Sequence, residues 1–133
     1  MIVVSDPNFD EVVLTGSVDD LTGLADMVAR GKGFLGSSLA APQDGDSLAG
    51  VEVADVSRPG VYVRLDAPRG ILVIDGDPAA RALFSAQLHS MTAAMTAVDG
   101  GGHRHIDHFP GHPYLVEGSH PLVIGIDRNE PTR

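Results

Sequence analysis

The side chains best suited to chemistry lie in residues 102–120, G-H-R-H-I-D-H-F-P-G-H-P-Y-L-V-E-G-S-H, which contain five of the six histidines. If residues 102–109 form a strand, alternation places His103, His105 and Asp107 on one face. Imidazole and carboxylate groups are ligands that Zn²⁺ and other transition metals accept. One hypothesis is therefore a small metal-binding protein or metal-dependent enzyme centred on these three residues.

The same stretch also has a purely structural interpretation. Solvent-facing strand positions tolerate histidine, and His112 and His120 stand beside prolines, which are typical of turns. Ser119 precedes His120 directly, and adjacent residues do not form a nucleophile–base pair by themselves. The glycine run 100–102 precedes a predicted strand rather than a helix, so it is not a phosphate-binding loop. These patterns indicate neither a catalytic group nor a cofactor.

Two amphipathic helices are predicted to support this stretch. The first spans residues 17–30, where Ser17 and Asp20 have the spacing of a capping box. The second spans residues 77–98, with Asp77 as N-cap and Pro78 at the first helical position. Apolar residues recur at helical spacing in both segments. We expect the buried positions to be Leu21, Leu24, Val28, Phe84, Leu88, Met91 and Met95.

Six strands are predicted from alternating or continuous apolar runs. They cover residues 11–16, 51–56, 61–66, 71–75, 102–109 and 122–126. The 71–75 run, I-L-V-I-D, is apolar enough for a central strand. Residues 31–50 are rich in Gly, Ser, Ala, Pro and Asp, which favours a long loop.

The chain also contains a weak internal repeat. Residues 11–66 and 71–127 each read as a strand, a Gly-Ser or Gly-Asp turn, a helix and two further strands. The repeat predicts two βαββ units within a single domain of 133 residues. The expected fold is α+β, with one mostly antiparallel sheet of about six strands and two helices on one face.

Charge and composition narrow the classes of partner. The formal net charge is −9, with 18 acidic against 9 basic residues, which argues against direct nucleic-acid binding. This charge is compatible with a basic protein partner. Without cysteine there is no disulfide and no thiolate site. The short, acidic N-terminus does not read as a signal peptide, and no apolar run reaches membrane length. We expect a soluble cytoplasmic protein with no membrane partner.

Residues 71–127 resemble a family of immunity proteins from bacterial polymorphic toxin systems, immunity protein 32. The shared order of features is a strand, a Gly-Asp turn, a helix and a strand containing His103, His105, Ile106 and Asp107. A Pro-Gly loop, a Gly-Ser pair at 118–119 and a final apolar strand follow. Residues 11–30 are similar to the same opening, although the first half lacks the histidines. The resemblance implies a non-enzymatic α+β protein that binds and neutralises a protein toxin.

A long loop on a rigid hairpin is a common recognition site, so we expect the partner to bind the strand with His103 and His105 and the loop that follows it, residues 109–121. Tyrosine commonly anchors protein interfaces, and the prolines of the loop lower the cost of ordering it. In the alternative interpretation, Tyr114 folds back to cover one end of the core. The identity of the partner stays open, and so does homodimerisation. The predicted partner contacts are His103, His105, Asp107, His108, His112, Tyr114 and Ser119.

Overall fold

A computed structural model describes residues 1–6, 11–37, 46–97 and 102–126. The predicted helix end at residue 98 and much of the predicted 31–50 loop lie outside these ranges. Within them the chain forms nine strands and two helices. In chain order these are β1 (Ile2–Asp6), β2 (Glu11–Gly16), α1 (Val18–Arg30), β3 (Lys32–Gly36), β4 (Asp46–Ser47), β5 (Gly50–Asp55), β6 (Val61–Asp66), β7 (Ile71–Gly76), α2 (Pro78–Thr96), β8 (His103–Ile106) and β9 (Leu122–Ile126).

The helices begin where their local capping signals predict. The Ser17 hydroxyl accepts the N–H of Asp20 at 3.1 Å, and the Asp20 carboxylate accepts the N–H of Ser17 at 3.1 Å. Helix α1 stops at Gly31, whose φ of 81° is in the left-handed region that glycine adopts readily. Helix α2 starts at Pro78, after Asp77. All seven side chains predicted to be buried are buried.

The strands form two sheets. One has five strands in the order β4-β1-β2-β9-β8, and the other has four in the order β3-β5-β7-β6. The pairs β2–β9 and β5–β7 are parallel, and the other named pairs are antiparallel. The α+β class and the mostly antiparallel pairing are therefore confirmed, and β7 is central, as predicted.

The prediction of one six-stranded sheet with both helices on one face is wrong. Strands β1, β3 and β4 were not recognised, because the first lies in a short apolar start and the other two in a Gly- and Ser-rich stretch. These strands supply extra edges, so the chain can build two sheets instead of one. Each helix contacts strands of both sheets. One hydrophobic cluster contains side chains from both helices and both sheets.

The topology has an internal two-fold pattern. The elements β1-β2-α1-β3-β5 and β6-β7-α2-β8-β9 follow the same order, and each unit gives its first hairpin to one sheet and its last pair to the other. The two parallel pairs, β2–β9 and β7–β5, join the units. The sequence repeat matched 51–56 with 102–109, whereas the topology relates β3 to β8 and β5 to β9. Duplication itself stays a prediction.

A buried arginine fixes the relative position of the helices. Arg81 of α2 is only 3% exposed. Its guanidinium donates to the carbonyls of Val28, Ala29 and Gly76 at 2.9, 3.0 and 2.9 Å. It also forms an ion pair with Asp55 at 2.7 Å. Arg81 thus caps the C-terminal carbonyls of α1 from the first turns of α2.

Candidate functional site

The loop between β8 and β9 covers the free edge of β6. The N–H of Val61 donates to the carbonyl of Tyr114 at 2.7 Å, and the N–H of Val116 donates to the carbonyl of Val61 at 2.9 Å. Further along, the Ser119 hydroxyl accepts the N–H of Val63 at 3.1 Å. An uncovered edge strand would expose a row of unpaired backbone groups. The structure therefore gives Ser119, a predicted partner contact, a role in closing the sheet edge.

Tyr114 holds the middle of this loop against α2. Its side chain is only 4% exposed, and its ring stacks on Phe84 with centroids 5.1 Å apart. Its hydroxyl forms a hydrogen bond with the side-chain oxygen of Gln87. Burial raises the pKa of this hydroxyl well above its usual range, so it remains a donor. The structure thus shows the alternative in which Tyr114 folds back on the core, and in this conformation little of it can touch a partner.

His112 shapes the turn that precedes Tyr114. Its Nδ1 accepts the N–H groups of Tyr114 and Leu115 at 3.2 and 3.0 Å. Its ring lies 4.6 Å from the ring of Phe109 and 6.5 Å from that of His108, measured between centroids. Burial, with a smaller contribution from His108, lowers the pKa of His112. The neutral imidazole is therefore favoured, and it keeps its lone pair on the two backbone donors.

A shallow groove of about 380 Å³ separates this loop from the start of α2. We call it the α2–loop groove. Leu83 lines it on the α2 side, Pro113 and Val116 on the loop side, and Pro59 at the turn before β6. Leu83 is 50% exposed, and Phe109, which contacts His112 beside the groove, is 52% exposed. Exposed apolar side chains around a concave surface mark sites of protein or ligand contact.

One carboxylate lines the groove. Asp77 accepts the N–H of Gly60 at 2.8 Å through Oδ1. This bond, together with the N–H groups of Ala79 and Ala80 at the start of α2, lowers the pKa of Asp77. The side chain is therefore ionised at neutral pH. Among the described residues no cation forms an ion pair with it.

The strand histidines occupy the outer side of the five-stranded sheet. His103 and His105 are exposed, lie opposite Gly125 and Val123 on β9, and have ring centroids 5.3 Å apart. Asp107 is exposed just beyond the end of β8. In the part of the chain that the structure describes, no three His, Asp or Glu side chains form a group that could hold a metal ion.

The structure brings together only some of the predicted contact residues. His108 and His112 stack on each other beside Phe109, while Tyr114 and Ser119 support the loop from within. Leu83 and Asp77 were not predicted as site residues. Leu83 was detectable in principle, because it is a leucine outside the buried stripe of its own helix. The position of Asp77 in the groove depends on the folded loop.

An exposed apolar groove beside a well-anchored loop is the kind of surface that binds another protein. The family model described as immunity protein 32 matches residues 71–127, which confirms the resemblance predicted from the sequence. The matched segment runs from β7 through α2 and β8 to β9, so it includes the loop and the α2 side of the groove. No curated protein and no solved structure gave a match. Neither described helix is long and apolar enough to cross a membrane.

Proposed function

We propose that this chain is a non-enzymatic, immunity-like protein that binds a bacterial protein toxin and neutralises it. The observation that carries the proposal is that the match to immunity protein 32 covers the α2 and loop sides of the α2–loop groove. A cytoplasmic location is part of the proposal, because such an inhibitor has to meet its toxin inside the cell.

The groove has the properties of an interface hot spot. Binding energy in protein complexes concentrates in a few residues, aromatic anchors among them, and Phe109 is an exposed aromatic side chain beside the groove. The backbone bonds to β6 and the two N–H groups held by His112 order the loop before any partner arrives. Ordering the loop in advance lowers the entropy cost of binding. The net charge of −9 favours fast association with a basic partner.

The strand residues His103, His105 and Asp107 extend the proposed surface towards the outer side of the five-stranded sheet. They are exposed, and they share the matched segment with the groove. Their contact with a partner stays a prediction. No observation in the described residues favours the metal-dependent alternative, since the two imidazoles lack a third ligand in a suitable position.

The first experiment compares two phenylalanines of equal exposure. Phe109 is 52% exposed beside the groove, and Phe34 is 54% exposed on β3, outside the matched segment. The binding partner to be tested is a toxin domain sought among the products of the neighbouring genes, and calorimetry measures its affinity. We expect Phe109→Ala to weaken binding by about 2 kcal/mol, as truncation of a hot-spot aromatic does. Phe34→Ala should leave the affinity unchanged.

A growth assay with the same toxin domain completes this test. Cells that produce the toxin should survive with the wild-type protein and with Phe34→Ala, and should grow poorly with Phe109→Ala. The proposed function is wrong if the wild-type protein neither binds the toxin nor protects the cells. The proposed surface is wrong if Phe34→Ala is as damaging as Phe109→Ala.

A further inference from the structure

The α2–loop groove combines apolar walls with one carboxylate that forms no ion pair with any cation of the described residues. Leu83, Pro113 and Val116 provide the walls, and the ionised carboxylate of Asp77 lines the same space. A side chain that fits both features needs an aliphatic stem and a cationic head. Lysine and arginine have this form, because they bury their methylene stems on apolar surface while the charged head finds a polar partner.

Two arginines stand next in sequence to residues that line the groove, and both already form ion pairs. Arg58, which lines an adjoining depression together with Val116, is paired with Asp75 at 2.5 Å. Arg81, one turn into α2, is held by Asp55 and by three backbone carbonyls. Among the described residues no cation is paired with Asp77, so the carboxylate is open to a cation of a partner.

Two local groups modify the attraction for a cation without cancelling it. The N-terminus of α2 carries a partial positive charge equivalent to about half an elementary charge, against the full negative charge of Asp77. His112 also lines the groove, but its pKa is lowered, so its neutral form adds no positive charge at neutral pH. Of the residues that line the groove, Asp77 alone therefore carries a full charge at neutral pH.

We infer that the α2–loop groove receives a lysine or arginine side chain of the partner protein, with its stem along Leu83, Pro113 and Val116 and its cationic head at the carboxylate of Asp77. This inference rests on the proposed function for its biological meaning. It goes further by naming the side-chain chemistry that the partner presents.

A peptide titration tests this subsite without any toxin. The probe is the blocked tripeptide acetyl-Gly-Arg-Gly-amide, added to isotope-labelled protein while amide signals are followed by NMR. We expect saturable shifts at Gly60, Ala80 and Leu83, with a dissociation constant of about 10 mM, as suits one side chain. The same peptide with citrulline keeps the shape and loses the charge, and it should bind at least about fivefold more weakly.

Two matched substitutions test whether the carboxylate of Asp77 binds the arginine peptide. Asp77→Asn keeps an oxygen for the N–H of Gly60 and remains a good N-cap, so the fold should persist. We expect it to weaken binding of the arginine peptide about fivefold. Asp19→Asn is the control, since it removes the same charge from the exposed first turn of α1. It should change the affinity by less than about 1.5-fold, because distant surface charges are screened by salt.

Several results would overturn the inference. One is the absence of saturable shifts in the wild-type protein up to about 100 mM peptide. Another is an equal loss of affinity in Asp77→Asn and Asp19→Asn. Should Asp77→Asn fail to fold, Leu83→Ala takes its place, since this exposed wall residue should weaken the peptide about threefold. An unchanged affinity in Leu83→Ala would then reject the groove. Because no toxin is involved, this failure is separate from failure of the proposed function.

Discussion

At the level of single residues, His112 controls the turn that borders the groove. Its Nδ1 accepts the N–H groups two and three positions further along, as an Asn or Asp side chain does in an Asx turn. A protonated Nδ1 would become a donor and would face two other donors. The Nδ1 contacts therefore favour the neutral ring, as does the burial that lowers the pKa of His112.

This gives a pH-dependent prediction for stability. The folded state lowers the pKa of His112, so the unfolded chain takes up this proton more readily. The stabilisation is fully present above the ordinary histidine pKa of about 6.5 and is lost as the pH falls through the lowered folded value. We expect the free energy of unfolding, measured by chemical denaturation, to fall more steeply with acid in the wild type than in His112→Asn. Asparagine keeps an acceptor but does not titrate.

Measurements at higher pH are the control for the comparison of the wild type with His112→Asn. Above a pH of about 7.5 the ring is neutral in both states, so the two proteins should show the same slope of stability against pH. Identical slopes below pH about 6.5 as well would mean that the Nδ1 contacts do not depend on protonation.

The loop residues also show what the sequence reveals about single side chains. The sequence predicts candidate interface residues, because tyrosine, phenylalanine and proline have recognisable roles. It did not reveal which of them is exposed. Tyr114 is buried because Phe84 and Gln87 of α2 lie beneath it, and Phe109 is exposed beside His112. These contacts join residues far apart in the chain, so local pattern could not decide between them.

At the level of elements, Arg81 is one polar connection between the two helices, together with the Ser85 hydroxyl, which donates to the carbonyl of Ala25 at 2.8 Å. Its guanidinium satisfies the carbonyls of Val28 and Ala29 at the end of α1 and that of Gly76 at the end of β7. Helix ends leave carbonyls without intrahelical partners, and buried ones need a donor. The glycine that stops α1 also provides space here, because a Cβ at Gly31 would lie 2.5 Å from the guanidinium of Arg81.

Replacement of Arg81 should destabilise the fold strongly. We expect Arg81→Met to lower the free energy of unfolding by about 3–5 kcal/mol, since several buried acceptors lose their donor together. Arg69→Met is the matched control, because Arg69 is half exposed and pairs with Glu52 and Asp66 at the surface. It should cost less than about 1 kcal/mol. Urea denaturation of the two variants measures the difference, and equal costs would show that the Arg81 contacts do not stabilise the helix pair.

The elements also show where sequence patterns are sufficient. The start of each helix and the end of α1 were predicted to within one residue, because caps and apolar stripes are local signals. The assignment of strands to sheets was not predictable in this way. The parallel pair β2–β9 joins Val12 to Leu122, and the sequence of neither strand indicates which strand pairs with it. Strand β3, K-G-F-L-G, contains two glycines and shows little of the alternation that marks a strand.

At the level of the whole molecule, the segment that matches immunity protein 32 is not a closed structural unit in this chain. Its first strand, β7, lies between β5 and β6, and its last strand, β9, pairs with β2. All three of these partner strands precede residue 71. The segment therefore depends on the first half of the chain for both of its sheets, which is the arrangement that the internal two-fold pattern of the topology produces.

This arrangement predicts how the second unit behaves alone. A fragment of residues 61–127 keeps β6, β7, α2, β8 and β9 but loses β2 and β5, the parallel partners of β9 and β7. In the two-fold pattern β9 corresponds to β5 and β7 to β2. A second copy of the fragment can therefore pair its β9 with the first copy's β7, and its β7 with the first copy's β9. We expect the folded fragment to be a symmetric dimer, because such an exchange satisfies both edges at once.

Sedimentation of the purified fragment, with circular dichroism as the measure of folding, checks this expectation. Dilution should convert the folded dimer into unfolded monomer, because each copy lacks a parallel partner for both of its central strands. Residues 1–60, added as a separate peptide, are the control. They supply β2 and β5 and should replace the second copy, which yields a one-to-one complex. A fragment that stays folded as a monomer on dilution would show that β7 and β9 do not need these parallel partners, and that the matched segment is self-sufficient.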